Sequence, residues 1–243
     1  MNRDYKEKLY RDYAIAFKNS SGSFDYQAAD KWLPCLKYYL RDWFPQKLNA
    51  KITDLGCGDG RIIYSLEKLG YSNVAGVDLS ESQLNLAKQV SSNVRKLDVL
   101  DYLRGLEAEF DLIVSFDLIE HLDKESVLEF LRECFSSLTE GGRMIVQTPN
   151  AASPFFGSVR YGDFTHELAF TPNLLNQLMS QVGFTAISSR EMPPVPLGYS
   201  LLSTLRFLAW RVIHMVFGFI DVIETGSRGT AIYTRVFLIS GVK

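Results

Sequence analysis

The residues best suited to chemistry stand close together early in the chain. The segment Ile52-Thr-Asp54-Leu-Gly56-Cys57-Gly58-Asp-Gly60 runs from an apolar stretch through three glycines into a helical pattern that begins at Arg61. Glycines there let the backbone turn sharply and approach a ligand closely. The N–H groups opening the following helix then face whatever is bound. The next apolar run ends at Asp78, 24 positions after Asp54, where a carboxylate can accept both hydroxyls of a ribose. Which nucleoside is bound depends on two residues. The third glycine of a dinucleotide fingerprint would fall at Arg61. Asp54, directly before the loop, would repel a pyrophosphate but attract a cationic amino-acid moiety. The loop therefore suits a nucleoside carrying positive charge.

Only three histidines exist, so candidates for a general base are few. Removing a proton from an unactivated hydroxyl calls for a base with a pKa near working pH. His166, in Tyr161-Gly-Asp163-Phe-Thr-His166-Glu167, is one such base, with Asp163 or Glu167 to orient it; a structural hydrogen-bonding role is the alternative. His121 follows Glu120 and reads as packing against a loop, while His214 lies in an apolar helix. Cys57 reads as a small loop residue. With no CxxC or HxxxH spacing, no structural zinc site is expected and nothing requires a metal, although Glu120 and His121 leave a small opening for one.

Elements alternate in the way needed to hold such a site. Strands are expected over Lys51–Leu55, Asn73–Val77, Val94–Leu97, Asp111–Phe116 and Arg143–Gln147, with helices over Arg61–Leu69, Glu81–Val90 and Lys124–Leu138. Gly141-Gly142 reads as the turn before the fifth strand. A helix over Thr171–Val182 closing at Gly183 follows, then strands Phe184–Ser189 and Thr230–Ile239. This rhythm implies βαβ units: an α/β fold with a mostly parallel sheet and helices on both faces. Residues 1–48 form a helical lead-in, in which Tyr10, Tyr13 and Trp32 could cover the site, although ordinary core or surface packing is the favoured reading for each. Residues 49–243 form the main domain, with 191–229 as a helical insertion.

These motifs resemble those of class I S-adenosylmethionine-dependent methyltransferases, of the ubiquinone-type and sugar O-antigen-cluster branches. The resemblance rests on Asp54-Leu-Gly-Cys-Gly-Asp-Gly60, Gly76-Val-Asp78-Leu-Ser80, Leu97-Asp98-Val99, Phe110-Asp-Leu-Ile-Val-Ser-Phe116-Asp117-Leu-Ile-Glu-His121 and Leu138-Thr-Glu-Gly-Gly142, and it covers about residues 50–190. It implies a Rossmann-like seven-stranded sheet with an antiparallel last strand, and S-adenosylmethionine as cofactor with S-adenosylhomocysteine as product. It places Gly56, Cys57, Gly58 and Gly60 along the methionine and ribose, with Asp54 near the amino group. Asp78 and Leu79 fall at the ribose and adenosine, Asp98 and Val99 at the adenine, and Phe116 and Asp117 at the flank. An O-methyltransferase acting on a sugar or glycan hydroxyl, nucleotide- or lipid-linked, is the leading expectation. A quinone-precursor phenol and a non-catalytic adenosine-ligand-binding partner are the alternatives.

Composition bounds the partners. With 26 Lys and Arg against 28 Asp and Glu, the chain lacks the basic footprint of a nucleic-acid binder, and none is expected. Three scattered cysteines and a charged N-terminus without an apolar core argue for a reducing, cytoplasmic setting. Leu201–Ile223 is almost continuously apolar, with Ser203, Thr204, Arg211, His214, Gly218 and Asp221 in one helical sector. Arg206 and Arg211 make it a poor membrane span. Three uses remain open: packing on the sheet, forming a homodimer seam or acceptor wall, or resting on a membrane surface.

Overall fold

A computed structural model describes residues 22–195 and 200–243; Tyr10 and Tyr13 lie outside them. The first described helix, α1 (Tyr26–Leu40), is capped by Asp25, whose carboxylate accepts from the Ala28 N–H, and passes into a short 3-10 turn at Arg41–Trp43. Then come β1 (Ile52–Leu55), α2 (Arg61–Lys68), β2 (Val74–Asp78), α3 (Glu81–Ala87), β3 (Val94–Lys96), α4 (Val99–Leu103) and β4 (Phe110–Phe116). The remainder is α5 (Lys124–Ser137), β5 (Leu138–Pro149), α6 (Phe156–Arg160), α7 (Pro172–Val182), β6 (Thr185–Glu191), α8 (Leu201–Thr225) and β7 (Val236–Val242).

The seven strands form one sheet in the order β3-β2-β1-β4-β5-β7-β6. Strands β1 to β5 pair in parallel, and β7 runs antiparallel to both β5 and β6. Because side chains alternate along a strand, each inner strand feeds two cores. Ile113, Met144, Val146, Phe237 and Ile239 meet α4, α5 and α7 on one face. Leu112, Val114, Ile145 and Leu238 meet α1, α2 and α3 on the other. The parallel strands end at a common edge, and strand order reverses between β1 and β4, where ligands bind in open α/β sheets.

Several boundaries differ from expectation. Strand β5 begins at Leu138 rather than Arg143, because Gly141-Gly142 continue the strand while its register against β4 shifts between Phe110 and Leu112. Strand β7 begins at Val236 rather than Thr230. The carbonyls of Ile232, Tyr233 and Thr234 instead receive hydrogen bonds from the Asn150 and Ser153 side chains, which hold that stretch as a loop.

The largest correction concerns α8. Its inward face carries buried Ser203 and Gly218 with half-buried Phe207, Trp210, His214, Phe217 and Asp221, while the apolar sector from Leu201 to Ile223 faces outward. Packing of that apolar face on the sheet is therefore excluded. No helix among the described residues is long and apolar enough to cross a membrane.

Candidate active site

At the common edge, β1 delivers Leu55 into a loop whose three glycines all take left-handed backbone: Gly56 at φ 73°, Gly58 at 53° and Gly60 at 85°. A side chain at such φ is strained, so the loop's course depends on glycine. The Gly56 and Cys57 N–H groups both donate to the Val77 carbonyl at 2.9 Å, tying the loop to the end of β2. Gly76 lets the loop settle there, since a Cβ would meet Ile63 Cδ1 at 2.6 Å and Cys57 Cβ at 2.8 Å.

Three carboxylates surround the loop. Asp54 is buried, and neither of its oxygens has a hydrogen-bond partner among the described residues. Burial, with Asp78 and Asp59 as negative neighbours, pushes its pKa well above the ordinary carboxylate range. Asp78 is half-buried; its Oδ2 accepts from the Gly58 N–H at 2.9 Å and its Oδ1 from the Ser80 N–H at 2.7 Å. Desolvation outweighs those bonds and raises its pKa. Asp59 pairs with Arg61 at 3.1 Å.

Asp98 caps α4, its Oδ1 accepting from Leu100 at 2.8 Å and Asp101 at 3.4 Å, and Val99 is buried behind it. Leu79 is exposed at the mouth of the crevice. Phe116 ends β4 under Trp32 of α1, ring centroids 6.4 Å apart at 90°. Asp117 follows at φ 52°, both of its carboxylate oxygens 3.0 Å from Gln147 Nε2.

A second polar cluster lies beyond β4. Glu120 and His121 sit on a 3-10 turn, Ile119–His121. The loop after α6 clamps onto that turn, Glu167 and Leu168 donating their N–H groups to the Glu120 carbonyl at 2.8 and 3.0 Å. This brings His166 Nε2 to 4.0 Å from Glu120 Oε1. The His121 and His166 rings pack edge to face, 4.7 Å between centroids.

Thr165 Oγ1 lies 2.7 Å from Asp163 Oδ1 and 2.8 Å from His121 Nδ1. If the hydroxyl proton goes to the carboxylate, His121 Nδ1 must be the donor to Thr165. Asp163 thus orients Thr165 and His121 and also acts electrostatically on His166, while the carboxylate that approaches His166 Nε2 is that of Glu120. Glu167 contributes backbone to the clamp, its carbonyl also accepting from Arg160 at 3.1 Å. Nothing in local spacing signals the Glu120–His166 approach, because the chain closes it across 46 positions.

Burial disfavours charge on both partners. It lowers the His166 pKa, against a raising effect of Asp163, and lifts Glu120 well above the usual range, with Asp117 adding to the effect. Glu120 Oε2 accepts from Thr148 at 3.0 Å, whereas Glu120 Oε1 and His166 Nδ1 have no partner among the described residues. One ligand atom each from Glu120, His121 and His166 lie within 4.8 Å of one another, close enough to hold a cation.

The crevice thus joins a glycine loop with an unpartnered acid to a buried acid–histidine pair, and the sequence match over it decides the family. A model described as "Methyltransferase domain" matches residues 24–189. The chain belongs to this methyltransferase-domain family. Among relatives, it is 27% identical over 150 residues to the ubiquinone biosynthesis O-methyltransferase of Hydrogenovibrio crunogenus, covering 56% of this chain and 62% of that protein. It is 28% identical over 161 residues to the small RNA 2'-O-methyltransferase of Rattus norvegicus, covering 59% of this chain and 41% of that one. The chain thus spans about half the length of the curated relatives it matches. In fold, the methyltransferase domain resembles a SAM dependent methyltransferase from Archaeoglobus fulgidus, with a TM-score of 0.65 at 21% identity, covering 90% of this chain and 100% of that one.

Proposed function

We propose that this protein is an S-adenosylmethionine-dependent O-methyltransferase acting on a sugar or glycan hydroxyl. The observation that carries the cofactor reading is Asp54, a buried carboxylate with both oxygens unpartnered beside a glycine loop. A cationic amino group satisfies it, and a pyrophosphate would not. Asp78 binds the ribose hydroxyls, exchanging its bonds to Gly58 and Ser80 for them. Leu79, Asp98 and Val99 frame the adenine. The residue assignments follow the family resemblance, and the relatives' names support methyl transfer to oxygen.

The reaction is an in-line displacement. With S-adenosylmethionine bound, the acceptor oxygen would take its methyl group as the carbon–sulfur bond breaks, leaving a neutral thioether. Aligning the two reactants at near-attack distance is the main work of the fold. The hydroxyl proton passes to the imidazole of His166, whose Nε2 stands 4.0 Å from Glu120 Oε1. Such a base matters most for an aliphatic hydroxyl, which ionises far less readily than a phenol, and this favours a sugar-type acceptor over a quinone precursor.

A second reading has one specific observation behind it, the three ligand atoms of Glu120, His121 and His166. If they hold a divalent cation, His166 is a ligand, and the cation supplies the acidification of the acceptor hydroxyl. Activity that survives EDTA favours His166 as base; activity lost to EDTA and restored by one divalent metal favours the cation.

The deciding experiment offers methyl-labelled donor with nucleotide sugars, glycans and quinone precursors. Label on a sugar oxygen is expected, and it should be lost in His166→Ala. Label on the phenols alone would reassign the acceptor. Label in none, with S-adenosylhomocysteine still bound, would leave a binding protein.

A further inference from the structure

We propose that α8 seats this protein on an anionic membrane surface, lying in the plane of the headgroups with its outward face in the lipid. The inference rests on α8 and stands whether or not the reaction above is correct.

The helix is 25 residues long, and Leu201, Leu205, Leu208, Val212, Val216 and Phe219 are all more than half exposed. Taking the residues' exposed fractions together, the apolar area presented is on the order of 1,300 Å², roughly two to four times the largest patch a monomer ordinarily leaves bare. At 100° per residue the outward residues run without a charge from Val222 to Ile213, an arc of about 180°. Such an arc is what a helix immersed to its axis presents to lipid.

Charge supports the lipid. Arg206 and Arg211, both exposed, stand at the two margins of the arc, where long basic side chains reach up to phosphates while their stems stay apolar. Glu224 shares a margin with Arg206, but Asp221 is turned inward, its Oδ2 accepting from the Tyr233 hydroxyl at 2.5 Å. The apolar surface also continues past α8. Phe217 packs on Phe155, centroids 6.0 Å apart, and the Arg235 guanidinium lies 5.5 Å over the Phe155 ring.

A second copy of the chain fits less well. Two helices meet along a stripe narrower than this arc, so an α8 pair would leave much of it in water. A lipid surface covers all of it at once.

The test is co-sedimentation of the full chain with vesicles of phosphatidylcholine alone or with one third phosphatidylglycerol. Binding is expected to be stronger on the anionic vesicles and weakened by salt. Val212→Glu with Phe219→Glu should lower it at least tenfold, and Arg206→Gln with Arg211→Gln should lower it on anionic vesicles only. If the Glu variants melt early, hydrogen exchange of the wild type decides: protection by vesicles confined to 201–225 supports the proposal, and unchanged exchange overturns it. Protein left in the supernatant with both vesicles overturns it. So does a dimer in lipid-free buffer that Phe219→Glu dissociates, since a second copy would then own the face.

Discussion

Asp54 is buried with neither carboxylate oxygen partnered among the described residues, so its protonation bears directly on stability. Its carboxyl keeps a proton in the native state at pH values where the unfolded chain has lost it. Stability of the unliganded protein must therefore fall as pH rises from about 4 through the raised native value. Asp54→Asn should flatten that slope and raise stability at neutral pH by about 1–3 kcal/mol, read by urea unfolding across pH. The same variant should bind S-adenosylhomocysteine at least tenfold more weakly by calorimetry; unchanged affinity would remove Asp54 from the cofactor site. His166 gives the complementary prediction. Burial lowers its pKa, so its basic form persists at mildly acid pH, and kcat/KM should rise to its plateau below the ordinary histidine value. His166→Gln should cut kcat by about 10²–10⁴-fold, abolish that acid limb and leave cofactor affinity intact. Asp54 was legible in the sequence because strand, acid and glycines are contiguous. The pairing of His166 with Glu120 was not, because backbone bonds from Glu167 and Leu168 to the Glu120 carbonyl create it, and a one-dimensional pattern carries no trace of them.

At the scale of elements, periodicity located the sheet strands and the long helices, and missed what tertiary contacts decide. Helices α4 and α6 have five residues each, too short to show a period. Asp98, which the family resemblance assigns to the adenine, caps α4, so the same carboxylate also starts a helix. For α8 the amphipathic pattern was plain, but hydropathy alone turns an apolar face inward, whereas here Ser203 and Gly218 face the body. The junction of the glycine loop with β2 yields a test of how elements set the site. Gly76 has no room for a methyl group, with Ile63 and Cys57 under 3 Å from its would-be Cβ. Gly76→Ala should cost about 1–3 kcal/mol through overpacking. It should also push Cys57 outward, loosening the Gly56 and Cys57 bonds to Val77 and weakening cofactor binding. Denaturant unfolding and calorimetry on one preparation check both, and a stability loss without an affinity loss would show the loop to be independent of β2.

The molecule as a whole divides its stability unevenly. Both cores are built from the sheet and the helices packed on it, and α8 contributes no buried hydrophobic side chain to either. Ring contacts and polar bonds together hold α8, with Phe217 packing on Phe155 and Tyr233 at 6.0 and 5.5 Å between centroids. Ser203 Oγ donates to the Val195 carbonyl at 2.6 Å, His214 Nε2 lies 3.0 Å from the Ala231 carbonyl, and the Tyr233 hydroxyl reaches Asp221. Desolvation, with Asp221 as hydrogen-bond partner, pushes the Tyr233 pKa up to about 12, so the phenol stays protonated and donating through the physiological range. Segments held by few buried contacts open locally at a fraction of the global unfolding free energy. In lipid-free buffer, amides of 201–225 should therefore exchange at least tenfold faster than those of β4, β5 and β7, and with little sensitivity to mutations in either core. Tyr233→Phe removes one of the polar ties, worth about 1 kcal/mol, and should speed exchange in α8 several-fold while leaving the strands unchanged. Equal protection of α8 and the sheet would mean that the helix unfolds only with the whole molecule. It would then be a structural part of the fold, and no longer an appendage held ready for another surface.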